Sequence, residues 1–461
     1  MKSSLLILAI TFASLPSISQ ADDATLRWKA AAAKVVITPS EPMWMAGYAA
    51  RRMPSEGKVH DLFAKALAIE DGAGTRLVIV TTDLISVPRP IRDWLEKAVN
   101  EELNLPAAGL LMNCSHTHCG PELRTTESSL DGLEPKRAEQ AKEYVCELKK
   151  KLLSVVRRAI DQLAPARVSY CRARCGFAMN RRTPSDAGFR NFPNPDGPVD
   201  HDVPVLKVET SEGKLRAVLF GYACHNTTLG FYQFCGDYAG FAQHYIEAAH
   251  PNTIAMFMLG CGGDQNPYPR RTLELAQQHG RSLANATEAA LQTQPRELKG
   301  ELRSAYAIAA LEYETPPTRQ QVLNLAQSEN RYDKAWGQRL LKQWERDGKL
   351  LNSYDCPIQV IKFGDALTMV ALPGETVVDF SLRLKRELGK SIDKPNSIWV
   401  AGYSNDVFAY IPSRRVLEEG GYEAGGAMRY MTTTVQPGPF ASNVEERIIE
   451  KVHELQREIS K

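Results

Sequence analysis

Three times along this chain, two β-prone apolar runs separated by a tight polar turn lead into a helical stretch and then into a further apolar run. In the first passage, Phe63–Glu70 and Arg76–Thr82 flank Asp71-Gly72-Ala73-Gly74, a hairpin signature. Ile91, Trp94, Leu95, Ala98, Val99 and Leu103 then recur at helical spacing, Pro106 stops that helix, and Leu110–Met112 is apolar. In the second, Pro204–Glu209 and Leu215–Cys224 flank Ser211-Glu212-Gly213, Asp237 is placed to cap a helix ending at Ala249, and Ile254–Leu259 follows. In the third, Pro357–Phe363 and Ala366–Leu372 flank Gly364-Asp365, a helix is expected from Thr376 to Leu388, and Ser397–Ala401 closes the unit. The passages share order rather than residues. Strand, strand, helix, strand predicts an α/β fold in which mixed β-sheets stack between helical layers, within one large domain.

The ends of those strands hold the residues with chemistry to offer. The second strand of each unit runs into Asp83, His225 or Glu375, and the third into His116, Asp264 or Asn405. In α/β sheets ligands gather at the carboxyl ends of strands. The densest such stretch is Asn113-Cys114-Ser115-His116-Thr117-His118-Cys119-Gly120-Pro121. Imidazoles at i and i+2 of an extended chain point to one side and could face one cation or one substrate. The bland alternative is a turn closed by Gly120-Pro121, with Cys114 and Cys119 as small core residues. A zinc site takes His or carboxylate ligands from distant segments and keeps one position open. His116, His225 and Glu375 form the best such set, although Glu375 would serve equally as a first-turn helix acid.

Met1–Ala21 carries Lys2, an apolar stretch from Leu5 to Leu15, and Ser19-Gln20-Ala21 before Asp22-Asp23, which is the form of a secretory signal peptide. That core is too short to span a bilayer, and no later segment is long and apolar enough. The expected mature protein, residues 22–461, is therefore soluble and exported, periplasmic or secreted. A formal net charge of +2 argues against nucleic acid as a partner. Nine cysteines is an odd number for an exported chain, so at least one is free or pairs between molecules; Cys171 and Cys175 could bridge if their backbone allows it.

Between the units, Tyr144, Val145, Leu148, Leu152, Val155, Val156 and Ile160 make one apolar helix face. Thr318 to Leu350 reads as a charged helical hairpin covering an edge or acting as a lid. Asn191 to Pro198 and Gly420 to Gly426 read as long connections suited to substrate contacts.

Six collinear blocks over nearly the whole mature chain carry a family resemblance. They are Ser115-His116-Thr117-His118-Cys119-Gly120-Pro121, Met179-Asn180-Arg181-Arg182, Ala223-Cys224-His225, Gly262-Gly263-Asp264-Gln265-Asn266-Pro267, Leu372-Pro373-Gly374-Glu375, and Asn405 through Tyr410 to Tyr422-Glu423. Together they resemble the neutral/alkaline ceramidase family, zinc amidohydrolases that split ceramide into sphingosine and a fatty acid. The resemblance implies one Zn2+ per chain, held by His116, His225, Glu375 and Tyr410. It places His118 beside the metal, hydrogen-bonding the substrate oxygen or the developing charge. It puts Arg181 on the substrate's polar head or the product carboxylate, and Tyr422 opposite the metal. Asp264, Asn266 and Asn405 are expected on the substrate side.

Two departures bear on the substrate. Asn266 stands where the family carries a serine before proline, and Lys461 follows soon after the Val444–Glu458 helix, without the β-sandwich tail of full ceramidases. The expected reaction is zinc-dependent hydrolysis of the amide in ceramide or a related N-acyl lipid, with transient contact to a membrane surface. The rivals are a zinc hydrolase of a different ester or amide, which a shallow pocket would favour, and an exported binding protein without turnover, for which Asn266 speaks.

Overall fold

A computed structural model describes residues 28–130, 133–389 and 397–461, so the Met1–Ala21 leader lies outside the described residues. All three units form. In the first, Phe63–Glu70 and Arg76–Thr82 pair antiparallel, helix Arg89–Leu103 crosses back, and Leu110–Cys114 pairs parallel to Arg76–Thr82. Asp202–Thr210, Leu215–Tyr222, helix Asp237–Ala249 and Ile254–Leu259 repeat that geometry, as do Ser353–Phe363, Leu367–Ala371, helix Val378–Leu388 and Ser397–Ala401.

A nine-stranded sheet carries the first two units at its two ends, joined through Ala164–Arg174 and Lys29–Val36. The third unit, with Leu302–Glu312, makes a four-stranded sheet. Strand pleating decides how they stack. Leu67, Ile69, Leu77, Ile79, Met256 and Met258 point from the large sheet toward Ile361, Phe363, Met369 and Trp399 of the small one, forming one core between the sheets. The alternate residues, Ala66, Val78, Val80, Phe257 and Leu259, face helices on the outside of the large sheet. Ile358, Val360, Ile398 and Val400 likewise face helices Val378–Leu388 and Val444–Glu458. The result is helix, sheet, sheet, helix, and each buried leucine or isoleucine in it contributes about 1.5–3 kcal/mol.

Helix Pro135–Asp161 lays its predicted apolar face on strands Lys29–Val36 and Phe63–Glu70. Helices Arg319–Ala326 and Arg331–Asp347 form the expected hairpin, which seats on Gly426–Tyr430 and the segment after it: Arg339 Nη2 donates to Arg429 O at 2.8 Å and Trp336 Nε1 to Gln436 O at 2.8 Å. Among the described residues no helix is long and apolar enough to cross a membrane. All nine cysteines, Cys171 and Cys175 included, are free thiols.

Three local expectations are corrected. Asn191–Asn194 belongs to strand Gly188–Asn194, paired with Ala178–Ser185, because alternating residues there find a partner edge. Asp237 lies one residue inside its helix at φ +54, where its carboxylate binds the N–H of Leu229 across the loop as well as that of Tyr238. The third unit's helix starts at Val378, since Glu375–Thr376 is taken by a parallel pairing with Tyr410–Ile411.

Candidate metal centre

Each unit delivers one side chain to a common point. Strand Leu110–Cys114 ends with Ser115 N–H donating to Thr82 O at 2.9 Å, and His116 then turns out at φ +57. The loop is therefore not extended, as alternation had predicted, and a left-handed turn brings His116 and His118 together. His225 follows strand Leu215–Tyr222, with its N–H on Gln265 O at 3.0 Å. Gly263 bridges to the third unit: its N–H donates to Thr376 O at 2.9 Å, and a Cβ there would lie 2.4 Å from Glu375 O, so only glycine permits this approach. The register of the short parallel pair sets Glu375 directly beside Tyr410.

The donor atoms converge. His225 Nε2 lies 3.0 Å from Glu375 Oε2 and 3.2 Å from the Tyr410 hydroxyl, and His116 Nε2 lies 3.2 Å from Glu375 Oε2. His116 Nδ1 sits 2.6 Å from Ile85 O and His225 Nδ1 2.7 Å from Gly262 O. A carbonyl oxygen only accepts, so both Nδ1 atoms carry the proton and, in the neutral rings, both Nε2 atoms turn lone pairs inward. Burial, with the Arg181 charge, pushes the His225 imidazole down to about 4, so it is neutral at pH 7. Two imidazole lone pairs and a carboxylate oxygen at 3.0–3.2 Å repel one another unless a cation lies between them. Donors around a tetrahedral zinc at its usual bond lengths are separated by roughly 3.3 Å or slightly more, so these residues fit such an ion. Among the described residues, His116, His118 and His225 also form a histidine group able to hold a metal.

His118 flanks the cluster, its Nε2 3.2 Å from His116 Nε2. Burial, and then the neighbouring histidines, push its imidazole well below the ordinary range. Its Nδ1 is buried and has no hydrogen-bond partner among the described residues. Gly47 packs on this ring at φ +99, and a Cβ there would lie 2.5 Å from His118 Cγ. Tyr48 covers another side, with ring centroids 4.8 Å apart, while Arg51 Nη2 holds the His118 carbonyl at 2.7 Å. Above the cluster opens a cavity of about 410 Å³, onto which His116, His118, Glu375, Tyr410 and Tyr422 all face.

The other expected site residues divide. Tyr422 reaches the cavity from the Gly420–Gly426 connection, and burial holds its phenol well above the usual range, so it remains a proton donor at neutral pH. Arg181 does not line the cavity. It is 4 % exposed behind Tyr410, with Nη2 donating to the Tyr410 oxygen at 3.0 Å, Nε to Glu423 at 2.9 Å and Nη1 to Asn266 Oδ1 at 3.2 Å. Asn266 thus supports Arg181, and Thr227 donates to the same Oδ1 at 3.2 Å. Asp264 accepts from Asn180 Nδ2 at 3.0 Å and from the Val378 N–H at 2.9 Å. Asn405 accepts from Met112 N–H and donates to Gln359. Neither Asp264 nor Asn405 lines the cavity. Sequence reasoning passed over Gly47, Tyr48 and Arg51, which stand some 70 residues before His118 and follow no motif, and Glu122 and Arg124, which its nearness to the histidine loop could have flagged.

The three units, with Tyr410 just beyond the third, thus present a His/carboxylate/phenol cluster at the floor of one cavity in a layered α/β scaffold. The family description neutral/alkaline non-lysosomal ceramidase, N-terminal, matches residues 33–304, more than half of the chain, and the chain belongs to that family. Among solved structures, one described as a ceramidase complexed with C2 superposes with a TM-score of 0.70 at 18% identity, covering 93% of this chain and 75% of that one. The neutral ceramidase from Pseudomonas aeruginosa gives 0.69 at 19% identity, covering 93% and 74%. These likenesses bear out the stacked α/β fold. No curated protein matches the sequence.

Proposed function

We propose that this protein is a zinc-dependent amidohydrolase, exported by its Met1–Ala21 leader, that cleaves the N-acyl bond of ceramide or a related N-acyl lipid to a free amine and a fatty acid. The observation that carries this reading is the pair of histidines whose Nδ1 atoms are tied to backbone carbonyls, so that their Nε2 atoms meet Glu375 and Tyr410 at 3.0–3.2 Å under one cavity. His116, His225, Glu375 and Tyr410 would hold the ion, which when bound polarises an acyl oxygen and acidifies water.

The chain's own groups divide the remaining work. His118, kept neutral by burial, accepts a proton from water as the new C–O bond forms and then passes it to the leaving nitrogen, so that the C–N bond breaks with release of the neutral amine. The Tyr422 phenol donates a hydrogen bond to the oxygen on which charge develops. Arg181 fixes the Tyr410 oxygen from behind. With Asn266 engaged by Arg181 and Thr227, none of these steps needs the hydroxyl of the family serine.

Fatty-acid release from ceramide by the zinc-loaded protein, beside a chelated sample and His225→Ala, tests the reading. Release lost in both controls is the expected result. Zinc bound at one per chain with ceramide intact would overturn the lipid assignment and leave the metal centre standing.

A further inference from the structure

The cavity mouth carries charge that amide cleavage does not use. Among the described residues three guanidiniums, Arg51, Arg124 and Arg137, line the cavity against one carboxylate outside the donor cluster, Glu122. Both Arg124 and Arg137 grip that buried carboxylate. Arg137 does so through Nε at 2.7 Å and Nη2 at 2.6 Å, and Arg124 through Nε at 3.0 Å and Nη2 at 2.8 Å. The Arg124 Nη1 donates to Thr432 Oγ1 at 2.8 Å. Arg137 lies on the Trp44 ring, 4.0 Å from its centroid, and its Nη1 makes no hydrogen bond among the described residues. Arg51 directs its amino groups at the carbonyl oxygens of Ala46, His118 and Phe231, which leave its charge uncancelled.

A tie between two loops needs one arginine on one glutamate. Here a second guanidinium leaves a surplus positive charge, and the indole and the shared carboxylate fix it in place. The wall that bears it is tied to the histidine loop: Glu122 N–H donates to Trp44 O at 2.8 Å and Ala46 N–H to Gly120 O at 3.0 Å. The Arg124 and Arg137 side chains remain 16% and 21% exposed, so a ligand can reach them. With both Nε/Nη2 forks on Glu122, the donor left over is Arg137 Nη1, whose N–H groups and surplus charge suit a planar or tetrahedral oxyanion, and a neutral head group gains little from them.

We propose that the amide this cavity prefers also carries an anionic group, a carboxylate or a phosphate, which Arg137 binds through Nη1 at the mouth, with the Arg124 charge beside it, while the amide lies over the donor cluster. The proposal rests on the amide-hydrolase reading and orders its substrates, setting an uncharged amide such as ceramide behind an anionic one: an N-acylated amino acid is the carboxylate case and a phosphorylated N-acyl amino alcohol the phosphate case.

The test compares N-decanoylglycine, phosphorylated N-decanoylethanolamine and uncharged N-decanoylethanolamine on the zinc-loaded protein. At least one anionic amide is expected to exceed the uncharged one about tenfold in kcat/KM, and the two anionic arms decide between carboxylate and phosphate. Arg137→Gln should raise KM for the preferred amide about tenfold more than for the uncharged one, with kcat little changed. Salt raised from about 50 to about 500 mM should erode the preference. Equal turnover of charged and uncharged amides, or an equal loss on both in Arg137→Gln, overturns the proposal. If none is cleaved, the amidase reading fails and calorimetry reads the anion site directly. Tighter binding of an anionic amide, lost in Arg137→Gln, then upholds the site, and no preference ends it.

Discussion

The side-chain amide of Asn113 pairs with the backbone of Leu259, Oδ1 accepting its N–H at 2.8 Å and Nδ2 donating to its carbonyl at 3.2 Å. The same Nδ2 reaches Gly402 O at 2.8 Å and Ser404 Oγ at 3.2 Å. One fully buried carboxamide thereby joins the ends of the third strands of all three units. Asn113→Asp would remove these donors and set an acidic oxygen against two carbonyls. The expected cost is about 3 kcal/mol, read as a lower denaturation midpoint at unchanged m-value.

Arg181 offers a choice between two roles with opposite signatures. Its contacts with Tyr410, Glu423 and Asn266 make it a support for a donor rather than a substrate contact. Arg181→Lys, which keeps the charge and loses the fork, should weaken zinc roughly 10–100-fold in a competition with a fluorescent chelator. KM measured at saturating zinc should stay within about twofold.

Gly47→Ala addresses His118 without touching a proposed ligand. The added Cβ would meet the imidazole at 2.5 Å on a backbone at φ +99. Turnover should fall about tenfold or more as the ring shifts, while elemental analysis still finds one zinc per chain.

Asp264 supplies a pH signature of stability. Burial raises its carboxyl to about 6, against an ordinary value near 3.8. Between those values the folded state holds a proton that the unfolded state has released, so the contribution of this group is greatest below pH 4 and declines as pH rises toward 6. Relative to Asp264→Asn, the native protein should lose about 2–3 kcal/mol over that interval in paired denaturant titrations, with the difference level above it.

The units were legible because hairpin turns, strand runs and helix periods are local signals, and their boundaries at Phe63–Glu70 or Ile254–Leu259 coincide with the observed strands. His116, His225 and Glu375 were legible as strand-end residues for the same reason. Their convergence depends on features with no local signal: the left-handed turn at His116, the glycine-only approach at Gly263 and the register that sets Glu375 beside Tyr410. Arg181 was placed on the substrate side because charge type alone cannot say which side of a tyrosine a guanidinium occupies. The Trp44–Arg137–Glu122 stack was invisible, since its members meet only when two distant loops and the start of helix Pro135–Asp161 come together.

The division of the donor cluster among three units also governs when the centre can exist. His116, His225 and Glu375 are each more than 100 residues from the next, so no single unit supplies the set, and an intermediate with one unit undocked lacks at least one of these ligands. Any metal bound there rewards only the last docking event. Loading would then mark the completion of folding, and a chelator would be expected to act as a denaturant of the junction between the units rather than of the units themselves.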